Sequence, residues 1–305
     1  MESYIDLNSS LTREEILSLN QLKEYLASQN VNYRFDLYNS EFLIRFLRSC
    51  SFNIKKTYIK LVNYFKFADE HDIENIEQVP FPNTDKLKLF FPHGFHKVTK
   101  EGLPIFLQSL GDLKIDDINR LLPEKKLNQY ICLLLERLRK VILPRTSQAL
   151  EKQIKQVFVL VDLKGLTTSL MSKKVFYFVN AQLSICENYY PGIFGQLYFV
   201  NTGFVFRAVW AACKYFYDQS TRNRIRLLGF DYHSKLLEVI NGLNLPKFLG
   251  GDCNCEPYGC IFSDAGPWNG KEIKRTNTIS YLPYSNEREN MLEHLSLNTN
   301  KTMHK

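Results

Sequence analysis

The segment YYPGIFGQLYFVNTGFVFRAVWAACKYFYDQSTRNRIRLLG, residues 189–229, decides how the rest of the chain is interpreted. After a Pro-Gly turn, an apolar run at 196–201 predicts a strand, and a helical segment at 202–218 follows that is apolar on most of its faces. Its one polar stripe, at spacings of three and four residues, is formed by Arg207, Ala211, Lys214 and Asp218. Such a helix is buried in a core, lies against a membrane, or covers a cavity that holds an apolar ligand.

The bulk composition limits the classes of protein to consider. Of the 305 residues, 45% are hydrophobic and 23% charged, which is typical of a globular protein. The net charge of +7 suits an anionic membrane surface and is too small for a dedicated nucleic-acid binder. No apolar run approaches the roughly 20 residues of a membrane span, and the polar, acidic N-terminus is neither a signal nor a transit peptide. The scattered cysteines indicate reduced thiols in the cytosol.

The order of predicted elements favours an α/β protein that begins with a helical bundle. Helices are predicted over 11–34 and 40–71, with a break at 51–53, and they form a bundle at 1–82. The rest of the fold, 83–270, alternates strands and helices, which predicts a mostly parallel sheet. Its strands are predicted at 103–108, 157–163, 196–201, 226–228 and 259–263, and further helices at 127–143, 172–187 and 236–240. Pro144 is expected to stop the helix before it. A polar C-terminal extension is predicted at 271–305, and its tail at 286–305 is predicted to be disordered.

Several kinds of chemistry find no support in the sequence. There is no glycine-rich phosphate loop, no HExxH and no GxSxG, so nucleotide, metalloprotease and hydrolase sites are disfavoured and no catalytic residue is predicted. His93 and His96 are predicted to be structural or exposed, and Asp162 to cap a turn. Three cysteines fall in one loop without the usual two-residue spacing or a nearby histidine, so no metal site is predicted there. They are Cys253, Cys255 and Cys260.

A set of short motifs in a fixed order resembles a known family. The set consists of FLIRFLR (42–48) with Phe52, HKVTKEGLP (96–104), VDLKG (161–165), NYYP (188–191), Asn201, TR (221–222), LG (228–229), LP (245–246), GG (250–251) and SDAGPW (263–268). Over about residues 11–269, this order resembles the CRAL-TRIO lipid-binding proteins, with the fungal phosphatidylinositol/phosphatidylcholine transfer proteins as the nearest branch.

The resemblance implies a fold and a set of binding residues. It implies a helical bundle packed on an α/β domain, a sheet that floors a lipid pocket, and a mobile gate formed by residues 202–218. The implied gate residues are Phe204, Phe206, Val209, Trp210, Cys213, Phe216 and Tyr217, and the implied pocket residues are Val157, Val159, Tyr130, Tyr190, Gly192 and Phe248. Candidates for contact with a headgroup are Arg45, Arg48, Cys50, Ser51 and Lys247.

The chain departs from the family at the headgroup positions. A basic pair is replaced by Cys50 and Ser51, a glutamate by Gly192, and a lysine by Phe248, beside which Lys247 stands. The two hydroxyl residues that hold a choline lipid's phosphate correspond to Val157 and Val159. The expected cargo is phosphatidylinositol by family membership. A sterol or another neutral lipid is the second choice, because valine offers no donor to a phosphate.

The sequence therefore predicts a non-enzymatic, monomeric lipid carrier with a bound lipid as its only cofactor-like ligand and no nucleic-acid partner. It is expected in the cytoplasm and peripherally on anionic membranes of the Golgi or endosomal type, where Arg222, Arg224 and Arg226 would each add about 1 kcal/mol of attraction. The alternative is a lipid-responsive scaffold for a lipid kinase or a small GTPase. A hydrolase is disfavoured, because no nucleophile elbow exists.

Overall fold

The N-terminal helices begin at side-chain caps that the sequence encodes. The structure is a computed structural model that describes residues 11–29, 38–81, 83–166, 173–216, 219–257 and 259–269. Helix α1 (Arg13–Ser28) starts at a capping box, in which Thr12 and Glu15 bond each other's backbone N–H. Helix α2 (Ser40–Ser49) is capped by Asn39 and begins at the predicted position 40. Helix α3 (Ile54–Glu70) follows the predicted break.

These helices pack on the rest of the fold through aromatic and polar contacts. The ring of Phe67 in α3 stacks on Tyr189, with 3.7 Å between ring centroids. Gln129 donates a hydrogen bond from Nε2 to the carbonyl of His71 at 2.9 Å. A helical bundle packed on an α/β domain is thereby confirmed, while the predicted boundary between residues 82 and 83 stays a prediction.

Five strands form one sheet in sequence order, and four of them are parallel. They are β1 (His93–Val98), β2 (Pro104–Ser109), β3 (Val157–Asp162), β4 (Phe194–Val200) and β5 (Ile225–Leu227). Strand β1 pairs antiparallel with β2, and every later pair is parallel. The mostly parallel sheet is confirmed. Strand β1 was not predicted, because its glycine and two histidines interrupt the apolar pattern of a strand.

Helices connect and flank the strands. They are α4 (Thr84–Phe90), α5 (Ile115–Leu121), α6 (Glu124–Arg137), α7 (Leu143–Ala149), α8 (Lys173–Tyr189), α9 (Phe204–Cys213), α10 (Gln219–Arg224) and α11 (His233–Val239). Short 3₁₀ turns occur at Ile76–Gln78, Lys214–Phe216, Lys247–Leu249, Cys260–Phe262 and Pro267–Asn269.

Two predictions about local structure are wrong. Pro144 does not stop its helix: a π-helical segment at Leu138–Ile142 joins α6 to α7, and its wider turn accommodates a residue without an N–H. The predicted last strand at 259–263 is the 3₁₀ turn Cys260–Phe262. This turn packs closely against β1, since a Cβ at Gly94 would collide with the carbonyl oxygen of Ile261.

The alternation of side chains along β3 divides the sheet into two faces. Phe158 and Leu160 belong to a tightly buried cluster that includes Leu236, Ile240, Leu245 and Leu249 from the segment after β5. We call this side the packed face. Val157, Val159 and Val161 point to the other side, the cavity face, towards α6 and α8. Among the described residues, no helix is both long and apolar enough to cross a bilayer.

Candidate functional site

An apolar cavity of about 90 Å³ lies between the cavity face of the sheet and helices α6 and α8. The sheet contributes Phe95, Phe106, Gln108, Val157, Val159, Val161, Phe194, Leu197 and Phe199. Helix α6 and the π segment contribute Ile131, Leu134, Leu135 and Leu138, and helix α8 contributes Val179, Gln182, Leu183 and Cys186. Leu110 completes the lining. Among the described lining residues, Gln108 and Gln182 are the only ones with amide side chains, so the cavity suits hydrocarbon.

Both helices line this cavity with the same spacing. On each of them the four lining residues follow the i, i+3, i+4, i+7 pattern of one helical face. The sequence identified Val157 and Val159 as pocket residues, and the structure places both at the cavity. The α8 face at 179–186 was missed, although this periodicity was available in the sequence to find it.

A larger and more polar cleft of about 940 Å³ adjoins the cavity. The two share Leu183, Cys186, Phe194 and Leu197 in their linings. Basic groups around the cleft are Arg45, Arg48, Lys60, Lys155 and Arg224, and the acidic ones are Glu41 and Glu187. An apolar cavity thus adjoins a predominantly basic opening. This combination suits an amphipathic anion, whose apolar part and charged group need different surroundings.

Arg45 is the most firmly held of the basic groups whose contacts are described. Its Nη2 donates to Glu41 Oε1 at 3.1 Å and to the carbonyl of Lys155 at 2.9 Å, and its Nη1 donates to the carbonyl of Gly192 at 3.4 Å. The side chain is only 13% exposed, and burial lowers the pKa of its guanidinium from the ordinary value. Arg45 thus ties α2 to the turn at Gly192 and fixes a positive charge at the rim of the cleft.

Arg48 is held by a different helix. Its Nε donates to Glu15 Oε1 of α1 at 2.8 Å, and this bond lowers the pKa of the Glu15 carboxyl. Of the two residues that replace the family's basic pair, Ser51 lines the cleft, whereas Cys50 is half-buried at the end of α2. The structure therefore brings three of the five predicted headgroup candidates, Arg45, Arg48 and Ser51, to one opening.

Gly192 lies at the rim of the cleft with room around it. Its φ is +72°, which favours glycine, yet no atom lies within 4 Å of a Cβ built at this position. A side chain here would project into open space. Tyr190 lines the same cleft and is buried.

Three predicted site residues lie away from the cavity. Tyr130 is buried, and its hydroxyl is 3.0 Å from Nε2 of His93, whose Nδ1 is 2.6 Å from the carbonyl of Phe91. Because a buried carbonyl needs a donor, Nδ1 carries the proton and Tyr130 donates to Nε2. Burial lowers the pKa of His93 to about 3. Lys247 and Phe248 are exposed in a turn whose Leu249 packs on the opposite, packed face.

Helix α9 divides its apolar side chains between the protein and the surface. Phe206 contacts the cavity residue Phe199, with ring centroids 5.2 Å apart, whereas Phe204 is 86% exposed. Val209 is also exposed and Trp210 is half-buried. The side chains of Cys213 and Phe216, and all of Tyr217, lie outside the described residues. The first turn of α9 also borders a separate cleft of about 460 Å³ beside Gly165.

The remaining polar residues that the sequence singled out lie in structural or surface positions. Asp162 caps the turn after β3, as predicted: its Oδ1 accepts from Lys164 N at 2.8 Å and from Asn201 Nδ2 at 2.7 Å. His93 and His96 are both buried, so the structural role predicted for them fits and exposure does not. Arg222 packs over the ring of Tyr215, and Arg226 is exposed.

A sequence profile of the CRAL/TRIO domain matches residues 91–251, which is more than half of the chain. The chain belongs to the CRAL-TRIO family. The resemblance that the ordered motifs predicted is therefore confirmed. Most of the cavity lining and the turn at Gly192 lie within the matched range.

Individual CRAL-TRIO relatives are similar over most of the chain. The "Phosphatidylinositol/phosphatidylcholine transfer protein SFH11" of Arabidopsis thaliana is 35% identical over 76% of this chain and 62% of its own length. The "Sec14 cytosolic factor" of Schizosaccharomyces pombe is 30% identical over 77% of this chain and 82% of its own length. The crystal structure of Sfh5 has a TM-score of 0.59 and 16% identity, and covers 92% of this chain and 98% of Sfh5. The chain spans 62% of SFH11 and only 43% of a second plant relative, SFH12.

Proposed function

We propose that this protein binds a phospholipid and transfers it between membranes, without catalysing a reaction. The observation that carries the proposal is the joined pair of spaces: an apolar cavity and a basic cleft that share Leu183, Cys186, Phe194 and Leu197. The lining of the first suits acyl chains once the cavity widens, and the basic groups of the second suit a phosphate. Each Å² of acyl surface that the protein keeps out of water in transit is worth about 25 cal/mol. Relatives named as phosphatidylinositol/phosphatidylcholine transfer proteins support the same function.

The cargo is proposed to be a phospholipid with weak headgroup preference. The basic cleft favours an anionic headgroup over a neutral sterol. Two features argue against strict selection of inositol: the carboxylate expected at Gly192 is missing, and Cys50 does not line the cleft. Phosphatidylinositol is the leading ligand by family membership, and a sterol is the second candidate, favoured by the all-valine cavity side of β3.

Loading requires a movement, for which α9 is the proposed gate. Ligand pockets usually measure about 300–1,000 Å³, far more than the 90 Å³ between the sheet and its covering helices. Helix α9 has Phe206 turned towards the cavity residue Phe199 and Phe204 turned towards solvent. When it swings outward, the exposed apolar residues enter the interfacial region of a bilayer and the cavity widens.

The protein is proposed to act in the cytoplasm and to dock peripherally. The exposed Arg226 and the net charge of +7 favour an anionic leaflet of the Golgi or endosomal type. A scaffold for a lipid kinase or small GTPase would use the same cavity but would keep its lipid. The two functions therefore differ in transfer and not in binding.

The deciding experiment combines lipid analysis with a transfer assay. Mass spectrometry of lipids extracted from the purified chain is expected to detect about one phospholipid per chain, and labelled phosphatidylinositol and phosphatidylcholine should move from donor to acceptor vesicles. Bound phospholipid without transfer would support the scaffold instead. Extraction of a sterol alone would replace the proposed cargo, and no bound lipid together with no transfer would contradict the whole proposal.

A further inference from the structure

On the packed face of the sheet, one histidine and three cysteines from distant parts of the chain meet. They are His96 of β1 and Cys253, Cys255 and Cys260 of the segment after Lys247–Leu249. One potential ligand atom from each residue lies within 4.8 Å of the other three. These cysteines have no histidine near them in the sequence, and the fold brings His96 to them. We propose that these four residues bind a structural Zn²⁺ ion.

The tautomer of His96 is fixed by its hydrogen bonds. Ser263 Oγ donates to the carbonyl of Cys260 at 2.9 Å, so its oxygen accepts the proton of His96 Nδ1 at 3.0 Å. With Nδ1 protonated, Nε2 carries the free lone pair. A ligating histidine that donates its other N–H to a hydroxyl or carbonyl is the usual arrangement at zinc sites.

The lone pair on Nε2 of His96 accepts no hydrogen bond from the described part of the chain. The side chain is 0% exposed, and Nε2 is buried without a hydrogen-bond partner among the described residues. The backbone of Asn244 lies beside the ring without completing a hydrogen bond to this atom. A buried ring nitrogen left unsatisfied is destabilising, and a bound cation would satisfy it.

The spacing of two of the three cysteine sulfurs fits tetrahedral zinc. With Zn–S bonds of about 2.3 Å, two thiolates on a tetrahedron are about 3.8 Å apart. The Sγ atoms of Cys253 and Cys255 are 3.7 Å apart. Cys253 and Cys260 are buried, and Cys255 is partly exposed, which gives an ion a path of entry. Each thiol that binds releases its proton to solvent.

The ligand set indicates a structural and not a catalytic ion. Three thiolates and one imidazole complete the four-coordinate shell and leave no open position for water or substrate. The ion would fasten the segment 253–260 to β1, next to the place where Gly94 admits the carbonyl of Ile261. This role is independent of lipid binding, because the cavity lies on the other face of the sheet.

Zinc content of the full chain, purified without a polyhistidine tag, is the first test. We expect about one zinc per chain by elemental mass spectrometry, and loss of most of it in Cys255→Ser and in His96→Gln. Two controls remove the same side-chain types elsewhere: Cys50→Ser and His71→Gln should keep the zinc. A zinc-free wild-type chain, or unchanged zinc in both ligand variants, would overturn the proposal.

Cobalt binding to the wild-type chain provides a test that does not depend on whether a variant folds. Adding Co²⁺ to the reduced, metal-stripped wild-type chain should produce the intense d–d bands of a tetrahedral ion and thiolate charge-transfer bands. Ser263→Ala keeps all four ligands and should weaken the metal affinity about 10–100-fold through loss of the bond to Nδ1. An octahedral cobalt spectrum, or a disulfide among the three cysteines in place of metal binding, would contradict the site.

Discussion

The two faces of the central sheet are covered in different ways, although neighbouring side chains of the same strand point to one face and then the other. On the packed face, Phe158 and Leu160 meet a continuous layer that includes Leu236 and Leu249. On the cavity face, Val157 and Val159 meet a gap that helices α6 and α8 do not fill. Packing is thus close on one side of the sheet and incomplete on the other, and the proposed ligand site lies on the side where packing is incomplete.

The largest expected effect is a difference between the two faces in how much stability is lost when a side chain is shortened. Leu160→Ala should lower the free energy of unfolding by about 3 kcal/mol, because it opens a hole in close-packed surroundings. Val159→Ala should cost about 1 kcal/mol, since it removes fewer atoms and they already border a gap. Urea unfolding monitored by circular dichroism measures both. Equal losses would remove the distinction between the faces.

The next effect concerns the buried polar pair on the cavity side, His93 and Tyr130. The pKa of His93 is about 3 in the folded state against an ordinary 6.5, so the unfolded chain binds the extra proton between these values. The contribution of His93 to stability is therefore complete above about pH 6.5 and is lost as the pH falls towards 3. Between pH 7 and pH 5 this contribution should fall by about 2 kcal/mol. His93→Gln should make the pH profile less steep by that amount, and an unchanged slope would contradict a neutral His93.

A third change tests whether the gap on the cavity face is the ligand site. Val159→Phe should reduce lipid extracted with the protein and vesicle transfer at least about tenfold, because the ring occupies space that acyl chains need. Its matched control is Leu160→Phe, which should instead destabilise the fold by about 1–3 kcal/mol through overpacking. Normal transfer by Val159→Phe would place the ligand elsewhere.

The next expected effect is smaller and concerns vesicle binding by helix α9, the proposed gate. Phe204→Glu should weaken binding to anionic vesicles about tenfold at unchanged stability, because the exposed ring contributes partitioning and no packing. Trp210→Glu should act in the same direction. The control is Ile59→Glu, an equally drastic change at an exposed apolar residue of α3, which should bind vesicles normally. Vesicle sedimentation measures all three, and equal binding by all variants would argue against a gate.

The smallest expected difference is between headgroups. With Gly192 in place of a carboxylate and valines on β3, phosphatidylinositol and phosphatidylcholine should compete for the site within about threefold, or about 0.7 kcal/mol. Competition between labelled lipids in the transfer assay gives this ratio. A preference of a hundredfold for inositol would show that other groups of the cleft, such as Arg45, read the headgroup.

The same two faces show what sequence reasoning can and cannot reach. The buried strand Val157–Asp162 and the apolar α9 were predictable, because periodicity and composition are local. Strand β1 was missed, since Gly94 and two histidines suit a strand only where Ile261 and Ser263 pack against it. The resemblance assigned Phe248 to the pocket and Lys247 to the headgroup. Both lie away from the cavity, because the chain after β5 crosses to the packed face.

The site itself was predicted in part for the same physical reason. Val157 and Val159 lie on a strand, where alternation fixes the direction of a side chain. The cleft, by contrast, is assembled by hydrogen bonds between distant segments, such as those from Arg45 to Lys155 and Gly192, which no local pattern encodes. The grouping of His96 with three cysteines has the same origin, because the partners come from opposite ends of the domain.

The open space around Gly192 has a consequence for how this protein can change over generations. At most buried positions a new side chain forces neighbours to move, so several substitutions must arrive together. Here nothing lies within 4 Å of the missing Cβ, and the only obstacle is the left-handed backbone, which costs a non-glycine residue about 1 kcal/mol. A single-base change converts some glycine codons to glutamate. Under the proposed function, headgroup preference is therefore one substitution away from revision, at a position with room for the new side chain.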